Sequence, residues 1–120
     1  MWTQAEAIEL CREIELICPK FGCHVALTGG LLYKDGERKD CDLLFYRIRQ
    51  VKAIDMEGLF DALKSIGVCK TQGMRWCFKG YYDGKHPGEG QIDMFFPEEQ
   101  DMPGDPVYGD NEPLFRKEPA

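Results

Sequence analysis

Asp40-Cys41-Asp42 places two carboxylates two residues apart at the head of the apolar run Cys41 to Ile48. In an extended strand, side chains two apart point to one face, so the carboxylates stand side by side while Cys41 and Leu43 face the other way. Like charges held that close are costly unless water or a cation lies between them. A further carboxylate, Asp93, sits among Ile92, Met94, Phe95 and Phe96, and a strand interior is a poor place for an unpaired aspartate. Hard divalent cations such as Mg²⁺ or Mn²⁺ take oxygen ligands, and carboxylates grouped around them can activate an attacking oxygen and stabilise a leaving phosphate. Gly29 and Gly30, just upstream, would let backbone N–H groups approach phosphate oxygens with no Cβ in the way. Lys34, Arg38 and Lys39 in the charged stretch between are further candidate phosphate partners. The competing account makes Asp40 and Asp42 a solvated strand start, Asp93 a water-facing sheet edge, and the three cations a solvated turn.

The elements that must position these residues follow from periodicity. Ala7, Ile8, Leu10, Cys11, Ile14, Leu16 and Ile17 recur at helical spacing, Thr3 and Glu6 form a capping-box pattern, and Pro19 and Gly22 close the helix. Cys23 to Thr28 is expected as a strand ended by the glycines, and Cys41 to Ile48 as a second strand, apolar on both faces and central in a sheet. Met56, Leu59, Phe60, Leu63 and Ile66 predict another helix, with Asp55 as N-cap and Gly67 as stop. The segment from Cys69 to Tyr82 reads as one strand and Gly90 to Pro97 as its hairpin partner, with Tyr82 to Gly90 as a long tip. The fold class expected is α+β: a small mixed sheet with two main helices packed on one face.

At this point the residues resemble a family, the nucleotidyltransferase superfamily related to DNA polymerase beta, and within it the minimal nucleotidyltransferases. Its signature is Gly followed by Gly or Ser, about ten residues, Asp-x-Asp or Asp-x-Glu in a strand, and a third carboxylate on a later strand. This chain has Thr28-Gly29-Gly30, nine intervening residues, Asp40-Cys41-Asp42-Leu43, and later Ile92-Asp93-Met94. The resemblance implies that Asp40, Asp42 and Asp93 hold Mg²⁺ or Mn²⁺, that Asp93 also helps activate the acceptor hydroxyl, and that Gly29 and Gly30 contact the phosphates of a nucleoside triphosphate. One departure stands out. The family opens a short helix after the second glycine, whereas Asp35-Gly36 is a hairpin-turn signal, so Leu31 to Tyr33 are expected to extend as strand and the helix to be lost or much shortened.

The resemblance covers about residues 3 to 97 and implies a nucleotidyltransferase-like domain over 1–97, leaving 98–120 as an acidic, proline-rich irregular tail, pinned at most by Val107, Tyr108, Leu114 and Phe115. A net charge of −6 argues against a protein that wraps nucleic acid by neutralising phosphates, so nucleic acid is expected only as an acceptor. No apolar run reaches the ~20 residues of a membrane span and no signal-peptide pattern opens the chain, so a cytoplasmic protein with no membrane partner is expected. In that compartment the six cysteines are expected as free thiols, and no paired C-x-x-C spacing points to zinc. Trp76 and Phe78 read as core and cover, and His86 as a loop residue without a role.

Two functions are compatible with these residues. One is a metal-dependent nucleotidyltransferase that moves a nucleoside monophosphate from a triphosphate to a hydroxyl on a protein, an RNA or a small molecule, with a protein partner or a second copy completing the base pocket. The other is a catalytically inactive module of the same fold that binds a protein partner or a nucleotide through its acidic tail and exposed hairpin.

Overall fold

The structure, a computed structural model, describes residues 1–34, 36–74 and 76–99. The chain beyond Glu99, with most of the expected acidic tail and its four apolar pins, lies outside the described residues. Helix α1 (Gln4–Ile17) begins at a complete capping box: Thr3 Oγ1 accepts from the Glu6 amide at 3.2 Å and Glu6 Oε1 accepts from the Thr3 amide at 3.0 Å. A 3₁₀ turn over Cys18–Phe21 and Gly22, at φ 92°, lead into β1 (Cys23–Thr28). Next come α2 (Gly30–Tyr33), β2 (Asp40–Arg47), α3 (Met56–Lys64), β3 (Val68–Met74), β4 (Cys77–Tyr82) and β5 (Gln91–Phe95).

The five strands form one sheet in the order β1-β2-β5-β4-β3. All pairs are antiparallel except β2 with β5, which run parallel. Side-chain alternation divides the sheet. Cys41, Leu43 and Phe45 of β2 and Ile92 and Met94 of β5 face the core with Leu10 and Ile14 of α1 and Leu59 and Leu63 of α3. Phe96 seals one end, stacked on Phe45 at 4.6 Å between ring centres and edge-on to Phe60 and Phe78. The opposite face carries Asp40, Asp42 and Asp93. At the β1 edge, Glu15 of α1 accepts from the Val25 amide at 3.0 Å and meets His24 Nδ1 at 2.6 Å.

Three expectations are corrected. Leu31 to Tyr33 do not extend as strand: α2 forms as a single turn because Gly29 bends the chain and Leu31 turns into the core, with the Lys34 amide closing onto the Gly30 carbonyl at 2.9 Å. The segment Cys69 to Tyr82 is not one strand but the hairpin β3–β4, whose register slips between Lys70 and Gln72. Trp76 lies in the turn of that hairpin and is 40% exposed rather than core, while Phe78 packs inward as expected. No helix among the described residues is long and apolar enough to cross a membrane.

Candidate functional site

The site rests on strand register. Thr28 of β1 pairs with Asp42 of β2, Asp42 with Asp93 of β5, Asp93 with Lys79 of β4, and Lys79 with Gln72 of β3. One cross-strand row therefore runs through the whole sheet with two carboxylates at its middle. In a parallel pair, register neighbours share a face, so the strands that are fifty residues apart in sequence bring Asp42 and Asp93 together. Asp40, two residues before Asp42, heads the next row, Asp40–Gln91–Tyr81.

The electrostatics reflect this crowding. The Asp42 carboxyl is pushed up to about 6, first by burial, then by the charges of Asp93 and Asp40, against which Lys79 is a small counterweight. Asp93 is only 14% exposed and is neutralised by Lys79, whose Nζ lies 3.0 Å from Asp93 Oδ1. That contact raises the lysine pKa in turn, through the hydrogen bond and then the Asp93 charge.

The glycines sit against the same groups. Gly29 takes φ 74° and ψ −158°, a region open in practice to glycine alone, and a Cβ there would overlap Asp42 Oδ2. A Cβ on Gly30 would come within 2.9 Å of Arg38 Nε, so the Arg38 side chain lies over Gly30. Arg38 is fixed by two backbone hydrogen bonds with Trp2, of 2.7 and 2.9 Å, and the Trp2 indole donates to the Gln91 carbonyl at 2.9 Å. Trp2, fully buried, thereby ties the charged turn to β5. Lys34 and Lys39 are exposed and make no side-chain hydrogen bond or ion pair with another described residue.

Gly29, Gly30, Arg38, Asp40, Asp42 and Asp93 thus gather at one end of one sheet face. Lys34 and Lys39 lie beside them on the chain without being drawn in. Among the described residues, no three His, Cys, Asp or Glu side chains stand together as a ready cage for an ion. The donor chemistry nevertheless suits a hard cation: burial first, and then the charges of Asp93 and Asp40, hold the Asp42 carboxyl above its ordinary range, and a cation would relieve that repulsion.

Sequence reasoning missed Lys79. Its signal lay in the loop between β4 and β5: counting outward from Tyr82 and Gly90, whose backbones bond at 2.8 Å, the third step pairs Lys79 with Asp93. That loop also bounds a cavity of about 470 Å³ lined in part by Tyr81, His86 and Gln91, next to the Asp40 row.

No protein-family model matches the chain, and no curated protein matches it. Solved structures do. A cytoplasmic RNA terminal U-transferase superposes with a TM-score of 0.57 at 17% identity, over 78% of this chain and 28% of its own. A structure of the Cid1 RNA terminal uridylyl transferase gives 0.54 at 21% identity, over 78% and 30%. The Cid1 poly(U) polymerase with MgGTP bound gives 0.54 at 20%, over 78% and 31%. The chain therefore spans less than a third of the length of these structures. At such identities the likeness is one of architecture, and it establishes that the chain has a nucleotidyltransferase-like α+β fold.

Proposed function

We propose that the chain is the catalytic core of a metal-dependent nucleotidyltransferase that transfers a nucleoside monophosphate from a nucleoside triphosphate to a hydroxyl acceptor. The observation that carries this is the row Thr28–Asp42–Asp93–Lys79 with Asp40 beside it and Gly29 pressed against Asp42. The solved neighbours include an RNA terminal U-transferase and a poly(U) polymerase with MgGTP bound, which supports the same assignment.

Asp40, Asp42 and Asp93 would hold Mg²⁺ or Mn²⁺, which when bound supplies positive charge to the triphosphate and to the attacking oxygen. The backbone amides around Gly29 and Gly30 and the Arg38 guanidinium bind phosphate oxygens, with Lys34 and Lys39 adding charge at the rim. Asp93 accepts the proton of the acceptor hydroxyl as its oxygen bonds to the α-phosphorus. The bond from that phosphorus to the bridging oxygen breaks, and pyrophosphate leaves with the electron pair. The cavity beside Tyr81 and Gln91 offers room for a nucleoside ring or the acceptor, and a protein partner or a second copy would close it over the base.

The second reading, an inactive module that binds a nucleotide or a protein, is favoured by one feature: Lys79 gives Asp93 an internal cation without any metal. Pyrophosphate release separates the two. The protein is incubated with each of the four common triphosphates, Mg²⁺ or Mn²⁺, and RNA, protein and small-molecule hydroxyl acceptors, alongside Asp42→Asn. Release by the wild type alone supports the enzyme. Triphosphate binding without release under every condition supports the module.

A further inference from the structure

We infer that Lys79 is an exchangeable cation of the site: it neutralises Asp93 while no metal is bound and moves to a substrate phosphate when one arrives. The inference rests on the metal-binding reading proposed above and assigns a phosphate-binding role to a residue outside the carboxylate and glycine pattern.

Three observations lead to it. The ammonium lies 3.0 Å from a carboxylate that is 14% exposed, while the lysine itself is 57% exposed, so a side chain rooted in solvent reaches inward to a nearly buried charge. The pairing is thus made by the flexible partner, and Asp93 stays in place in the central strand whichever cation it meets. Lys79 also lines an open cavity of about 490 Å³ together with Gln72, Gly73, Trp76 and Cys77. The stem therefore has somewhere to go.

The chemistry then sets the direction of exchange. A divalent cation carries twice the charge of an ammonium and can engage Asp42 and Asp93 together, whereas Lys79 meets Asp93 alone. Once Asp93 is satisfied by metal, the released ammonium is a point charge beside an arriving triphosphate, and phosphate is the ligand such a group takes. Metal binding and phosphate binding are linked through this one side chain, and the two effects of removing it have opposite signs.

The test uses the full chain as wild type, Lys79→Met and Lys79→Arg. Mn²⁺ binding is followed by the electron paramagnetic resonance of the free ion at about pH 8, where carboxylates are ionised and lysine still charged. Binding of a non-hydrolysable triphosphate is then measured at saturating Mn²⁺. Lys79→Met is expected to bind Mn²⁺ about tenfold more tightly and the triphosphate about tenfold more weakly, a change of one charge contact in each direction. Lys79→Arg should follow the wild type in both. Circular dichroism of each variant checks the fold, which an exposed position tolerates. Equal or weaker Mn²⁺ affinity in Lys79→Met, with the wild type binding, overturns the exchange and leaves the metal site standing. Mn²⁺ bound by none of the three overturns the metal-binding reading and the exchange together.

Discussion

Gly29 and Asp42 are built against each other: the space a Cβ would need on Gly29 is filled by the Asp42 carboxylate, whose Cβ and Cγ both lie 3.0 Å from that point. The glycine does two jobs at once, turning the chain through a conformation other residues avoid and leaving a carboxylate free to sit over the phosphate loop. Gly29→Ala should therefore lower stability by about 1–3 kcal/mol and also displace Asp42. Chemical denaturation measures the first effect. The second appears as a lost thermal response to Mg²⁺ plus triphosphate, a response that Gly36→Ala, likewise strained at φ 92° but with open space around it, should retain.

Asp42 gives a pH dependence with a definite sign. Its carboxyl is raised to about 6 in the folded protein, against about 3.9 in an unfolded chain. The folded state therefore binds the proton more tightly, and this contribution to stability is fully present below about pH 4. It is lost as pH rises through 6. Asp42→Asn removes the titrating group, so the variant should be more stable than the wild type at neutral pH by on the order of 1–2 kcal/mol, after allowance for solvent screening. The difference should vanish near pH 4. Urea denaturation of both proteins across this range measures it, and an equal or lower stability of Asp42→Asn at neutral pH counts against the repulsion.

Metal and nucleotide should act through the same carboxylates. Millimolar Mg²⁺ with a non-hydrolysable triphosphate is expected to raise the melting temperature of the wild type, since a ligand that binds only the folded state stabilises it by mass action. Asp42→Asn should show little or no shift. An unresponsive wild type would leave the fold and remove the enzyme reading for this chain.

The thiols divide by position. Cys18, Cys23 and Cys41 are fully buried, and burial is the first reason that the Cys41 thiol is pushed up to about 12. Cys11, Cys69 and Cys77 are partly accessible. A thiol reagent under non-reducing conditions should therefore label Cys11, Cys69 and Cys77 in the native protein at most, and all six cysteines after denaturation. Labelling of Cys41 in the folded protein would contradict the packing of β2.

What could be read in advance depended on how far each signal reached. The capping box at Thr3 and Glu6, the Asp55 cap, whose Oδ1 accepts from Gly58 at 3.1 Å, and the strand opening at Asp40 are local patterns, and each forms where the sequence places it. The nearness of Asp93 to Asp42 was expected from a resemblance, because no local rule sets the register of strands this far apart. The β3–β4 turn escaped because Gly73-Met74-Arg75-Trp76 has none of the usual paired turn residues. The single turn of α2 fits the expected much-shortened helix, but the strand reading of Leu31 to Tyr33 failed because the Asp35-Gly36 signal outweighed Leu31, whose burial decides the local conformation. Lys79 looked like an ordinary outward-facing lysine, and only a cross-strand partner could say otherwise.

The parallel pairing of β2 with β5 has a kinetic meaning as well. β5 lies in the middle of the sheet and is the last of the described strands to emerge in the chain, so its ladder with β2 closes the longest loop of any strand pair among the described residues. Fraying of either edge strand leaves both ladders of β5 intact. The carboxylate pair is therefore expected to come apart only when the whole sheet opens, and the backbone amides from Ile92 to Met94 to exchange with deuterated solvent at the rate set by global unfolding, well behind those of β1 and β3.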